Sequence, residues 1–249
     1  MKYLKVILGV IILAGVLFTA NWARNFLFSK VNEGTSTTGG AAAHVGKHDI
    51  NNSPYFPALD FYNMKSNEHL TILSNFKTYQ QTTGYTCGPA AAYMVVEHYL
   101  GKCPQTEMEI AKAMDTNNHN GTSVKGMMSY FEKVNWEVHS STSSKTPKNY
   151  DAFVRFVEGN LKQNNPIMVE NVEWGGHWRV IIGYDSMGTD YKGDDVLIMA
   201  DPFDLADHHQ DGYNVVPAEN FYYMWFDAQL FSSFEKKNPW LIAKPKLKK

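Results

Sequence analysis

The sequence has only two cysteines in 249 residues, so a disulfide scaffold is excluded as the source of its stability. The two are not natural partners either. If Cys87 opens a helix running to Leu100, Cys103 lies roughly 20 Å away at 1.5 Å of rise per residue, and a disulfide needs Cα atoms within about 7 Å. Cys-x-x-Cys and His-Glu-x-x-His spacings are missing, which removes the commonest zinc centres. Asp204, Asp207, His208, His209 and Asp211 crowd one segment, but neighbouring histidines project in different directions, so the segment reads as a solvated loop. No metal and no other cofactor is called for. No Gly-x4-Gly-Lys-Ser/Thr loop occurs, which excludes a P-loop ATPase on this chain. A formal net charge of −2 leaves no electrostatic footprint for nucleic acid. The basic run Lys244 to Lys249 reads as a short solvated tail.

Long hydrophobic runs are also scarce, and the one present is at the start. Lys2 and Lys5 precede an apolar stretch from Val6 to Ala20, the charge and length pattern of an export signal. Trp22, Phe26 and Phe28 extend it past Arg24 toward the ~20 residues of a membrane span. Residues 1–28 are therefore either a signal peptide or an N-terminal membrane anchor, and in both cases the remainder of the chain is translocated while the two lysines stay behind. Residues 29–53, rich in Gly, Thr, Ser, Ala and Asn, read as a flexible linker. Residues 54–249 hold enough apolar and aromatic sequence for one buried core.

The residues that carry chemistry centre on Gln81-Thr-Thr-Gly-Tyr-Thr-Cys87-Gly-Pro-Ala-Ala-Ala-Tyr-Met-Val-Val-Glu-His98. Gly84 and Gly88-Pro89 mark a tight turn, and Ala90 to Leu100 is a run of helix formers, so Cys87 sits at or beside a helix start. Unsatisfied N–H groups and the positive end of the helix dipole favour a thiolate there, which is a nucleophile. Six positions upstream, Gln81 is placed for a turn to swing its amide beside the thiol, where it and the Cys87 N–H would form an oxyanion hole. A buried, inert cysteine ahead of a core helix is the plain alternative. Gln81, Cys87-Gly88 and the Ala90-Ala92 helix start together resemble the papain-like cysteine peptidases, and most closely the bacteriocin-processing, double-glycine-leader peptidases.

A thiol needs a base. Of nine histidines, His44 and His48 fall in the linker, and His98 stands eleven residues along the same helix, roughly 16 Å from the thiol. His177 stands in Gly175-Gly176-His177-Trp178-Arg-Val-Ile-Ile-Gly-Tyr184, at the opening of a β-rich segment, and is the expected base. Trp178 to Tyr184 runs out as a strand, Asp185 to Asp195 is a polar loop, and Val196 to Ala200 runs back, so Asp201 should end beside His177 and orient its ring. Asp204 is the substitute candidate. The Gly-His-Trp segment and the Asp201-Pro202 pair a strand later both resemble the same family's motifs, as does Gly121-Thr122-Ser123 before Met127-Met128.

Val124 to Val134 and Asp151 to Leu161 read as amphipathic helices, and Ile167 to Glu170 as a strand leading toward His177. Phe221 to Phe226 reads as core and cleft wall. The expected fold is α+β and papain-like: N-terminal helices, with the nucleophile at a helix start, packed on an antiparallel sheet carrying His177 and Asp201. The resemblance spans about Thr71 to Trp225 and implies a peptidase acting on a peptide or protein substrate. The same thiol, imidazole and carboxylate also serve acyl transfer to an amine, as in transglutaminase-like or phytochelatin-synthase-like enzymes, and a non-catalytic peptide-binding module is the third reading.

Overall fold

A computed structural model describes residues 40–47, 49–228, 235 and 237–246. Residues 1–28, expected to be a signal or anchor, lie outside the described residues. Among those described, no helix is long and apolar enough to cross a membrane.

Helix α1 (Cys87–Leu100) begins at Cys87 itself, so the thiol stands at the helix start as expected. Pro89 fits inside its first turn because the N–H that proline lacks has no intrahelical partner there. Apolar side chains from Ala90 to Val96, all buried except Tyr93, leave most of the helix buried, as expected of a helix that is hydrophobic nearly all round. It stops at Gly101, whose φ of +75° and N–H bond to Glu97 O, 2.8 Å, form a left-handed cap. The short α2 (Glu107–Ala113) follows a capping box made by Thr106 and Glu109. Ser123 caps α3 (Val124–Lys133) by accepting from Gly126 N–H at 3.0 Å, and Asn149 caps α4 (Tyr150–Leu161) through Ala152 N–H at 2.9 Å.

Seven antiparallel strands form one sheet: β1 (Leu70–Ile72), β2 (Trp136–Ser140), β3 (Ile167–Asn171), β4 (His177–Asp185), β5 (Val196–Ala200), β6 (Tyr213–Pro217) and β7 (Trp240–Pro245). Their order is β2-β7-β3-β4-β5-β6, with β1 paired to the far end of β4. β4 is buried from His177 to Tyr184 because α1 and α4 both pack against it. The β4–β5 hairpin expected from the sequence is present, with Val180 opposite Ala200 and a register shift at Gly183. Its connection is tied down by Asp195, whose carboxylate accepts from the Tyr184 hydroxyl at 2.5 Å and the Tyr150 hydroxyl at 3.4 Å. A last helix, α5 (Ala218–Met224), precedes the run to β7.

Two expectations are corrected. Lys244 is no part of a solvated tail: it lies in β7, which sits between β2 and β3, and its ammonium is 3.7 Å from Glu137. The strand is short and holds one lysine, Lys244, with three more following it, so its apolar part, Trp240 to Ala243, is masked by that charge. The linker reading fails for residues 40–44. A 3-10 turn, Ala41–His44, docks with Ala41 fully buried, Ala42 N–H donating to Gln81 O at 2.9 Å and Gln210 Nε2 donating to Ala41 O at 2.7 Å. This docking uses backbone groups and small side chains, which composition alone cannot separate from a linker.

Candidate active site

Helix α1 brings its first residue, Cys87, against the start of β4, where His177 opens the strand. His177 Nε2 is 2.7 Å from Asp201 Oδ1, so Nδ1 is the ring nitrogen left to the thiol, with which the imidazole also interacts. The imidazole is buried, with Trp174 packed edge-on at 4.9 Å between ring centroids. Burial opposes a charge on it, yet Asp201 and Cys87 outweigh that effect and raise its pKa to about 10.

Asp201 follows directly on β5, the strand paired with β4, and so comes level with His177. Burial would raise its carboxyl, but His177, Arg179 and the Phe203 N–H, which donates to Oδ1 at 2.8 Å, together hold it below its ordinary value. Arg179 Nη1 lies 3.6 Å from Asp201 Oδ2, and its Nη2 lies 3.0 Å from Glu173. Sequence reasoning missed Arg179, although the signal was there: strand side chains repeat every two residues, so positions 177 and 179 share a face.

Asp204, the substitute candidate, does not touch His177. Its Oδ2 accepts from Gly212 N–H at 2.9 Å. Burial and the neighbouring Asp207 and Asp201 push it up to about 9, so it is a neutral acid at neutral pH.

Gln81 is buried and lines the same cleft as Cys87. One N–H of its amide is spent on Thr83 O at 2.7 Å, which leaves the other as a donor. Its backbone is locked from both sides, its N–H on Pro202 O at 2.9 Å and its carbonyl on Ala42 N–H. Gln80, also missed, holds the backbone of the turn that follows β5: its Nε2 donates to Asp201 O at 2.7 Å while its Oε1 accepts from Asp204 N–H at 3.2 Å.

Gly88 and Thr122 meet at the base of the cleft. A Cβ on Gly88 would fall 2.6 Å from Thr122 Cβ, and Thr122 is held in place by Trp178, whose indole N–H donates to its carbonyl at 2.9 Å. The Gly121-Thr122-Ser123 segment is therefore both the start of α3 and a cleft wall, with Asn118 and Asn120 beside it. Of the aromatic run Phe221 to Phe226, Phe221 and Trp225 are core, and none of the six lines the cleft. The cleft residue is the next one, Asp227, which faces the equally buried Glu170 of β3. Burial first and then Asp227 push the Glu170 carboxyl well above the usual range.

The sequence matches the Peptidase_C39 like family over residues 73–229, more than half of the chain. The chain belongs to that family. Membership makes it a cysteine-type peptidase, as the Cys87 region led one to expect, and the mixed helices and antiparallel sheet agree with the papain-like expectation. The C39-like domain is also similar to the peptidase domain of Streptococcus ComA, a bi-functional ABC transporter involved in a quorum sensing pathway. The identity is 18%, over 69% of this chain and 99% of that one, with a TM-score of 0.46. The peptidase domain of Streptococcus mutans ComA matches at 16% identity over 68% and 100%, with a TM-score of 0.36. No curated protein matches the chain.

Proposed function

We propose that this C39-like domain hydrolyses peptide bonds with a Cys87-His177-Asp201 triad and an oxyanion hole made by Gln81 and the Cys87 N–H. The observation that carries the reading is one buried imidazole joined on one side to a carboxylate at 2.7 Å and on the other to a thiol at a helix start. In the first step Cys87 Sγ attacks the scissile carbonyl carbon and the carbonyl electron pair moves onto oxygen. There the second N–H of Gln81 and the Cys87 N–H receive the negative charge. His177 then gives its proton to the departing amine as the C–N bond breaks, leaving a thioester. Water completes the cycle, losing a proton to His177 as its oxygen bonds the acyl carbon and the thiolate leaves. Asp201 keeps Nε2 occupied, so Nδ1 always faces the reaction.

We place this chemistry on the far side of a membrane, exported or tethered by residues 1–28, on the strength of Lys2, Lys5 and the Val6–Ala20 run. Double-glycine leaders are not carried over to this chain as its substrate.

The test is mass spectrometry of a peptide library incubated with the protein, with and without added primary amines. New carboxyl termini that appear without amine, and vanish in Cys87→Ala, are the expected result. New amides in place of new termini would replace hydrolysis by acyl transfer, and unchanged peptides would remove the enzyme reading.

A further inference from the structure

The mechanism leaves two cleft residues without a task. Glu170 projects from β3 and Asp227 follows the turn after α5; both line the cleft beside Cys87, Gly176 and His177. They interact directly, and Glu170 is 2% exposed. Glu170 Oε2 has no hydrogen-bond partner among the described residues. The pair crowds the backbone so closely that a Cβ on Gly176 would come within 1.9 Å of Asp227 Oδ2 and 3.1 Å of Glu170 Oε1. The second glycine of Gly175-Gly176-His177 is thus needed to let two carboxyl groups in beside the catalytic imidazole.

We infer that the Glu170–Asp227 pair is a specificity site for a basic side chain, lysine or arginine, at one of the two substrate residues on the amino side of the scissile bond. The inference rests on the peptidase reading. Two carboxyls in contact and out of water oppose each other's ionisation, and a cation placed beside them relieves that opposition. Glu235 adds to that opposition. An oxygen buried without a partner is costly, and a donor delivered by a ligand recovers that cost. An ammonium brings three donors and a guanidinium five, whereas a carboxamide brings no charge and a carboxylate brings repulsion. Tyr85 and Trp174, on the cleft walls, offer flat apolar surface to the methylene stem that carries such a head group.

The experiment uses four dipeptidyl chloromethyl ketones, Ala-Lys, Ala-norleucine, Lys-Ala and norleucine-Ala, and measures the rate constant for alkylation of Cys87 in the intact protein. In at least one of the two matched pairs the lysine reagent should react about ten-fold or more faster, the size of a charge-assisted hydrogen bond. Glu170→Gln should collapse that ratio toward one; should this variant not fold, Asp227→Asn takes its place, and the comparison in the parent protein stands without either. Equal rates within both pairs would overturn this inference alone. A lysine preference that survives in both variants would also overturn it. Alkylation by none of the four would remove the nucleophile assignment and this inference together.

Discussion

Asp201 and Asp204 stand three residues apart, and burial acts on both, yet one is charged and the other neutral because of what faces them. Asp201 meets His177 at 2.7 Å and Arg179 at 3.6 Å, so it is an anion. Asp204 meets a backbone N–H and other acids, so it keeps its proton to about pH 9. The raised His177 contributes stability that is fully present below its ordinary 6.5 and lost as pH climbs through about 10. Asp201 contributes stability present above its ordinary 3.8 and lost as pH falls. For Asp204 the sign reverses: the unfolded chain ionises first, so this residue costs stability increasingly from pH 3.8 toward 9. Asp204→Asn should therefore raise Tm at pH 8 and have little effect near pH 4, read by thermal unfolding across that range. Asp201→Asn removes the charge that keeps His177 protonated, so its pH profile of kcat/KM should lose activity on the alkaline side at lower pH than the parent. Should Asp204→Asn move that alkaline limb and Asp201→Asn leave it in place, the catalytic carboxylate has been misassigned.

At the scale of elements, the site depends on how the start of α1 seats against the start of α3. Gly88 and Thr122 approach too closely for any Cβ, and Thr122 is pinned by Trp178 at the root of the His177 strand. A methyl at position 88 must push Cys87 away from its partners, and a displacement of about 1 Å is worth roughly 10²-fold in rate. Gly88→Ala should cost that order in kcat, and Thr122→Gly in the same chain should restore part of it; additive losses in the double variant would show that the contact does not set the geometry. The parts of the site legible in the sequence were those with a local signal. Cys87 lies between a glycine turn and an alanine helix, His177 opens a β-branched run, and Asp201 closes the hairpin that run begins. Gln80, Glu170 and Asp227 act through contacts across the fold, and no pattern within a few residues of each announces them, whereas Arg179 was announced only by the strand face it shares with His177. Strand β7 was hidden for a related reason: six residues that lead into a run of lysines look like a tail until the sheet places them in its interior.

For the whole molecule, the question is which side of a membrane the domain occupies and when it becomes active. Export through residues 1–28 predicts that the protein recovered from expressing cells is either membrane-bound with its original N-terminus or free of the membrane with a new one near residue 28. N-terminal sequencing of the two fractions distinguishes them, and a soluble cytoplasmic protein still beginning at Met1 would refute both. The sheet order adds a matter of timing. β2 joins the sheet through β7, and Met168 and Val169 of β3 pair with the same strand, through Leu241 and Trp240. Cys87, His177 and Asp201 have all been synthesised by residue 201, but β3 keeps an open edge until residues 240–245 appear, roughly two to eight seconds later at ordinary ribosomal speed. A chain still being made therefore carries all three residues of the proposed triad without the complete sheet that aligns them. On the proposed mechanism such a chain presents an unfinished β edge rather than a working thiol, and β7, the last strand among the described residues, acts as the safety catch on the enzyme.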